Sequence, residues 1–190
     1  MMRIITGSAK GRKLLTLEGE STRPTSERIK GAIFSSIQFE CEGRVVLDLF
    51  AGCGQMGLEA LSRGAQRATF IDSSREAMEI VKKNAASTAL ADRCHFLVSD
   101  AKNYLRKASG REEYDLVFVD PPYALECCVE IAEALVKYKT VIPGAIVVLE
   151  SGEEEIDLSD SRLSGYELIR TTPYGKKTRV TILLYRGEEG

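Results

Sequence analysis

The sequence predicts an α/β fold, a doubly wound, Rossmann-like sheet of seven mostly parallel strands. Between residues 45 and 149, short apolar runs alternate with stretches of helical spacing, as in a βαβ array. Runs such as Leu116-Val117-Phe118-Val119 are apolar on both faces, which is typical of a parallel strand covered on both sides. The tail then changes to two alternating runs, which indicates a terminal antiparallel hairpin.

The N-terminal residues are predicted to form a small β-hairpin arm, because β-type runs at residues 3–6 and 13–17 flank a glycine-containing stretch. A proline, hydroxyl residues and an acid at residues 24–27 precede apolar residues at helical spacing, so a helix is expected from about Ser26 to Phe39. We place a domain boundary here, with the arm at residues 1–24 and the main domain at 25–190.

The spacing of the apolar residues alternates between that of strands and that of helices, and it predicts the remaining elements in order. Strands are expected at residues 45–49, 68–71, 95–98, 114–119 and 145–149, with helices at 57–63, 74–86, 101–107 and 126–138. The hairpin strands are expected at residues 166–171 and 178–185, around a turn at 172–175.

Composition limits the class of protein. The chain has 190 residues, 44% of them hydrophobic, which is enough for one core. Because it has no run of 18 apolar residues and no signal peptide, a cytoplasmic protein is expected. The five cysteines are odd in number and lack Cys-x-x-Cys spacing, which favours reduced, buried thiols. The single histidine, His95, lies in an apolar run. We therefore expect a strand residue whose imidazole is hydrogen-bonded, and no metal site.

Charge is distributed unevenly along the chain. The net charge is -2, yet residues 1–30 hold seven cations against three acids, and residues 170–186 hold five cations and no acid. Such runs are either solvated faces or phosphate contacts.

A glycine-rich loop follows the first predicted strand of the sheet. In Asp48-Leu49-Phe50-Ala51-Gly52-Cys53-Gly54-Gln55-Met56-Gly57, three glycines allow a tight turn and a close backbone approach to a ligand at a helix N-terminus. The spacing also fits the dinucleotide fingerprint, so a structural turn, a dinucleotide site and an adenosyl-cofactor site are all open.

Acids at the strand ends favour the adenosyl cofactor. Asp48 would repel a pyrophosphate by roughly 4 kcal/mol at about 4 Å, whereas S-adenosylmethionine carries an ammonium and a sulfonium. Asp72 ends the second strand, where an acid accepts ribose hydroxyls in either cofactor class. Asp100 ends the third strand and either meets the adenine amino group or caps the next helix.

The most specific motif is Asp120-Pro121-Pro122-Tyr123, after the fourth strand. Two prolines stiffen the turn and remove two backbone donors, which leaves carbonyl acceptors. An exocyclic base amine is a poor nucleophile, and Asp120 with the Pro121 carbonyl can hold it towards a methyl group. Tyr123 can stack on the extruded base for about 1 to 3 kcal/mol.

Together these motifs resemble the RsmD-like 16S ribosomal RNA guanine-N2 methyltransferases, a family of class I methyltransferases. The resemblance covers nearly the whole chain. It rests on Arg3-Ile4-Ile5-x-Gly7 with Gly11-Arg12-Lys13-Leu14, on Arg23-Pro24-Thr25-x-x-Arg28, on residues 47–60 and on residues 120–123, in that order.

The resemblance implies roles for individual residues. It implies that the cofactor is bound by Asp48, Phe50, Ala51, Gly52, Gly54, Gly57, Asp72, Asp100, Ala101 and Thr25. It also implies that the target guanine amine is held by Asp120, Pro121, Pro122 and Tyr123. The residues expected to contact RNA phosphates are Arg3, Arg12, Lys13, Arg23, Arg28, Lys30, Lys176, Lys177 and Arg179.

The expected function is therefore transfer of a methyl group from S-adenosylmethionine to guanine N2 in 16S rRNA, of the guanine-966 type. The expected partner is the small ribosomal subunit or its assembly intermediate, and a monomer without a metal is expected. Two alternatives stay open: an adenine-N6 DNA or other amino methyltransferase of the same fold, and a non-catalytic adenosine- or RNA-binding module. A dinucleotide oxidoreductase is disfavoured by Asp48.

Overall fold

The computed structural model describes residues 2–17 and 24–187, which form five α-helices and seven β-strands. The helices are α1 (Pro24–Ser36), α2 (Gln55–Ser62), α3 (Arg75–Ser87), α4 (Ala101–Ala108) and α5 (Cys128–Lys137). The strands are β1 (Val45–Leu49), β2 (Arg67–Asp72), β3 (Cys94–Val98), β4 (Tyr114–Val119), β5 (Val141–Ser151), β6 (Tyr166–Tyr174) and β7 (Thr178–Tyr185). The strand order in the sheet is β3-β2-β1-β4-β5-β7-β6.

The chain divides into two compact units, and the first covers residues 1–100. Here β2 pairs in parallel with both β1 and β3. The strands β1 and β2 are almost wholly buried, as is typical of parallel strands covered on both faces. The helices α2 and α3 both pack against β2. This arrangement places the ends of β1 and β2 beside the helices that follow them.

The second unit covers residues 101–190. In it β4 and β5 pair in parallel, while β7 runs antiparallel to both β5 and β6. The predicted mostly parallel sheet with a terminal antiparallel hairpin is therefore confirmed. Within the described residues, no helix combines the length and apolar character that crossing a membrane requires.

Two local predictions need correction. The arm has one isolated antiparallel bridge, Arg3 to Lys13, instead of paired strands, because several of its backbone groups bond to side chains elsewhere. Strand β6 continues through Tyr174, so the hairpin turn is residues 175–177 and not 172–175. His95 lies in β3, a strand at the edge of the sheet, as predicted for a strand residue, and it is exposed there.

Helix α5 begins two residues later than predicted. Glu126 has a φ of 41°, a left-handed conformation that a helix cannot include. The carboxylate of Glu154 then accepts hydrogen bonds from the Cys128 and Val129 amides, at 2.9 and 3.0 Å. A distant acid therefore supplies the cap that the local sequence lacks.

Candidate active site

The loop after β1 has an unusual backbone. Phe50, Gly52 and Gly54 have φ values of 62°, 54° and 78°, all in the left-handed region. Glycine adopts this conformation freely, whereas for a phenylalanine it costs on the order of 1–3 kcal/mol. Gly54 caps α2, so the loop leads directly to a helix N-terminus, the kind of position at which anionic groups bind. Strain at such a position is typical of a binding loop.

Asp48 fixes the far end of this loop. Its carboxylate is 2% exposed, and Oδ2 accepts a 2.9 Å hydrogen bond from the Gly57 amide. Burial raises the pKa of Asp48 to about 7; the nearby Asp72 charge adds to the rise, and the Gly57 hydrogen bond opposes it. A Cβ on Gly57 would lie 2.4 Å from Phe70 Cε1, so only glycine fits here. Asp48 is thus bonded to the loop itself.

Asp72, at the end of β2, holds the middle of the loop. Its Oδ2 accepts from the Gly52 amide at 2.9 Å, and its Oδ1 accepts from the Ser74 amide at 2.8 Å. The carboxylate is half-buried, and each oxygen retains a second lone pair that could accept a ribose hydroxyl.

The first unit fits an adenosyl cofactor better than a dinucleotide. A Cβ at Gly54 would lie 2.8 Å from Val81 and one at Gly57 would lie 2.4 Å from Phe70, so the packing of the loop requires glycine at both positions. Two carboxylates, Asp48 and Asp72, bond to the loop's amides, which makes the loop unfavourable for a pyrophosphate. Ala51, also in the loop, is buried. Asp100 is exposed immediately before α4.

Ala101 belongs to the second unit, where it is the first residue of α4 and is 5% exposed. Thr25 lies in α1, and its side chain is outside the described residues.

The second unit carries the acceptor loop, which follows β4. Asp120 is half-buried, Pro121 is buried and Pro122 is exposed. The Pro122 carbonyl accepts a 2.9 Å hydrogen bond from the Leu125 amide, which closes a short 3-10 turn. The side chain of Tyr123 lies outside the described residues. The loop is therefore a closed turn. It follows β4, whose last four residues are buried.

A shallow cleft lies beside this turn. Its lining residues are Ala124, Glu126, Gly152, Glu153 and Lys177. It therefore adjoins the acceptor loop at Ala124 and includes one of the predicted phosphate contacts, Lys177.

Most of the predicted phosphate contacts lie on the surface. The exposed cations are Arg3, Arg12, Lys13, Arg28, Lys176 and Lys177, and Arg179 is partly exposed. Arg3 pairs with Glu27 at 2.8 Å, and Arg179 lies 3.9 Å from Glu155. Arg23 lies outside the described residues.

Lys30 is not among these surface cations. It is 1% exposed, and its ammonium donates to the Arg3 carbonyl at 2.6 Å and lies 3.5 Å from Glu59 Oε2. Burial lowers its pKa, and the Glu59 carboxylate opposes that shift. The prediction that Lys30 contacts phosphate is therefore wrong: it is an internal ion-pair partner.

Three polar side chains that the sequence analysis did not single out hold the arm, defined as residues 2–17. Glu59 accepts from the Ile5 and Thr6 amides, and Ser62 bonds to Thr6 and Ala9. Asn84 bonds to Leu15 and to the loop residue Cys53. All three interrupt otherwise apolar helix faces, and that pattern is a sequence signal for buried polar anchors.

The fold and site define the class of S-adenosylmethionine-dependent methyltransferases. An Escherichia coli structure titled "Putative methyltransferase yhhF" superposes with a TM-score of 0.84 and 29% identity, covering 98% of this chain and 99% of that one.

The family model described as "Conserved hypothetical protein 95" matches residues 2–183, and the chain belongs to that family. "Putative rRNA methyltransferase YlbH" of Bacillus subtilis is 35% identical over 98% of this chain and 100% of its own length. "Ribosomal RNA small subunit methyltransferase D" of Escherichia coli K12 is 34% identical over 80% and 76% of the two chains. The resemblance to the RsmD family is thereby confirmed.

Proposed function

We propose that this protein methylates the exocyclic N2 amine of a guanine in small-subunit ribosomal RNA, of the guanine-966 type. The observation that carries the proposal is the Asp120-Pro121-Pro122-Tyr123 turn, closed by the Pro122 carbonyl after a buried strand. The names of the relatives in Bacillus subtilis and Escherichia coli support an RNA substrate.

The turn suits an amine that has to be made nucleophilic. The lone pair of guanine N2 is delocalised into the ring, so a site must favour a pyramidal nitrogen. Asp120 and the Pro121 carbonyl accept the two amine hydrogens and orient the lone pair. The prolines contribute no N–H that would compete for it. Tyr123 stacks on the extruded base and offsets part of the few kcal/mol needed to unstack it.

The first unit would hold the methyl donor. S-adenosylmethionine, when bound, supplies a methyl group made electrophilic by its sulfonium. The backbone amides at the start of α2 and the Asp72 carboxylate would bind its polar groups. Asp48 would hold the Gly57 amide and so keep the loop in place. Positioning of the two reactants then supplies most of the rate.

The RNA would be held through its phosphates. The arm, residues 2–17, carries four exposed cations and no acid: Arg3, Lys10, Arg12 and Lys13. Lys176 and Lys177 add exposed charge at the β6–β7 turn. Because the whole chain has a net charge of -2, local charge and not overall charge would guide the RNA. The substrate would be 16S RNA within the small subunit or its assembly intermediate.

Nucleoside analysis tests the proposal. The full-length protein is incubated with methyl-labelled S-adenosylmethionine and, in parallel, with unmodified 30S subunits, deproteinised 16S RNA and duplex DNA. Label in N2-methylguanosine from the ribosomal substrates is the expected result. Label in N6-methyladenine from DNA would move the function to the adenine alternative. No label with any substrate, together with cofactor binding, would support the non-catalytic module.

A further inference from the structure

Asn84 joins the arm to the cofactor loop. From α3, its Nδ2 donates to the Leu15 carbonyl at 2.9 Å and to the Cys53 carbonyl at 2.8 Å, while its Oδ1 accepts from the Leu15 amide at 2.8 Å. Leu15 belongs to the arm, and Cys53 lies between the two left-handed glycines of the loop. One side chain therefore touches both segments.

The amide of Asn84 has little freedom. The residue is 0% exposed, and both of its N–H groups are used. A rotated amide would turn its oxygen towards two carbonyl oxygens and leave buried groups unpaired, which costs about 1–3 kcal/mol for each group. The position of the Cys53 carbonyl and the position of Leu15 therefore depend on one another.

The arm is held by its own backbone hydrogen bonds and by side-chain anchors from α2 and α3. The Ile4 amide donates to the Arg12 carbonyl and the Leu14 amide to the Met2 carbonyl, both at 2.9 Å, and the side-chain anchors add to these bonds. Ser62 is one such anchor: it donates to the Thr6 carbonyl at 2.6 Å and accepts from the Ala9 amide at 2.9 Å. Because part of its hydrogen bonding comes from outside the arm, the arm is expected to become more mobile when such an anchor moves.

We propose that Asn84 is a positioning residue that couples the cofactor loop to the basic arm, so that cofactor and RNA each strengthen the binding of the other. This inference rests on the proposed function, because it takes the loop to bind S-adenosylmethionine and the arm to bind RNA. A ligand that holds the Cys53 carbonyl in place stabilises its hydrogen bond from Asn84, and through Asn84 it stabilises the position of Leu15. The coupling is reciprocal by thermodynamic linkage.

The coupling is measured as a ratio of dissociation constants. The Kd of S-adenosylhomocysteine, which binds without turnover, is determined for the full-length protein alone and saturated with unmodified 16S RNA. For the wild-type protein, we expect RNA to lower that Kd by about fivefold or more, the lower end of typical coupling. S-adenosylhomocysteine should lower the Kd of the RNA by the same factor.

Two variants separate coupling from general stability. Asn84→Asp keeps an oxygen for the Leu15 amide but loses both donors to the carbonyls, so the factor should fall to about one. Ser62→Ala removes arm contacts without touching Cys53, so it should weaken RNA binding and leave the factor unchanged. A wild-type factor of one, or an unchanged factor in Asn84→Asp, would overturn the inference.

Hydrogen exchange on the wild-type protein covers the case in which Asn84→Asp does not fold. The Leu15 amide donates to Asn84, so S-adenosylhomocysteine should slow its exchange at least fivefold. Unchanged exchange of Leu15 at saturating ligand would refute the coupling. Because a wild-type protein that methylates rRNA could still fail either test, failure of the inference is distinguishable from failure of the proposed function.

Discussion

At the scale of single residues, Asp48 shows how the candidate cofactor loop depends on a buried carboxyl group. It bonds the Gly57 amide in a site where its charged form is poorly solvated. Its pKa of about 7 in the folded protein exceeds the unfolded value of about 3.9. The folded state therefore binds more protons between these values, and the free energy of unfolding should fall as pH rises from about 4 to 7.

The variant Asp48→Asn tests this pH dependence, because its amide oxygen can still accept from Gly57 but does not titrate. Urea unfolding without cofactor at pH 5 and pH 8 gives the free energies. The stability of the variant relative to wild type should rise by roughly 2.6 kcal/mol between these two pH values. Equal pH dependence of the two proteins would show that Asp48 does not titrate in this range.

Gly57 is a second residue at which the loop allows no change. An added Cβ would meet the Phe70 ring at 2.4 Å, and that ring stacks on Phe96 with centroids 5.7 Å apart. Gly57→Ala should therefore cost at least about 1–3 kcal/mol in the free energy of unfolding.

A matched control for Gly57→Ala is Gly31→Ala. Gly31 lies in α1, where the added Cβ would have only an ordinary contact of 3.7 Å with Ile5. That substitution should stabilise the protein by about 0.4–1 kcal/mol. Thermal and urea unfolding check both values, and similar effects at the two positions would contradict the packing around Gly57.

The sequence identified the glycines and acids of the loop because their spacing is local. It did not identify the partners of Asp48 and Asp72, which are loop amides. The local run of cations and the resemblance placed Lys30 among the phosphate contacts. Its buried partner, Glu59, lies 29 positions further along the chain. A local sequence pattern does not reveal tertiary contacts of this kind.

At the scale of elements, α5 depends on a cap supplied by a distant residue. The Glu154 carboxylate accepts from two of the helix's first amides, which would otherwise lack intrahelical partners. Glu154→Ala should cost about 0.5–2 kcal/mol in the free energy of unfolding. Its neighbour provides the control: Glu155 is exposed and 3.9 Å from Arg179, so Glu155→Ala should change the stability by less than about 0.5 kcal/mol. Equal urea midpoints for the two variants would contradict the cap.

The elements themselves were predictable where apolar periodicity is strong. The predicted ranges for β1, β4 and β7 agree with the structure, and those of α3 and α4 agree within one residue. The arm was harder, because alternating residues at 3–6 and 13–17 resemble strands. Some of their backbone groups bond across the arm, as the Leu14 amide does to the Met2 carbonyl, but others bond to Glu59 and Asn84, which belong to helices far along the chain.

At the scale of the whole molecule, the uneven charge leads to a prediction about RNA affinity. Arg12 and Lys13 are exposed on the arm, and neither forms an ion pair within the described residues. The double variant Arg12→Ala/Lys13→Ala should weaken binding to 16S RNA and lower the slope of log K against log salt by about one to two. Filter binding at several salt concentrations measures both.

Two lysines outside the proposed RNA surface serve as the control for this prediction. Lys82 and Lys83 are exposed on α3, and Lys82 pairs with Glu79. Lys82→Ala/Lys83→Ala removes the same number of charges, so its salt slope should equal that of wild type. If the two double variants had the same slope, the arm would not be a phosphate-binding surface.

The fold class was predictable because alternating strands and helices and a tail of different period are global features of the sequence. They gave a mostly parallel sheet with a terminal hairpin, which the strand pairings confirm. The division into units of 100 and 90 residues was not predictable, because no linker composition marks the boundary at Asp100.

The most direct test of the central claim compares wild type with Asp120→Asn. Each protein is assayed with labelled S-adenosylmethionine and unmodified 30S subunits, and S-adenosylhomocysteine affinity is measured in parallel. The account predicts N2-methylguanosine from wild type, a loss of at least about 100-fold in rate for the variant, and unchanged cofactor affinity. Equal rates of N2-methylguanosine formation by both proteins would contradict the role of Asp120 at the acceptor loop.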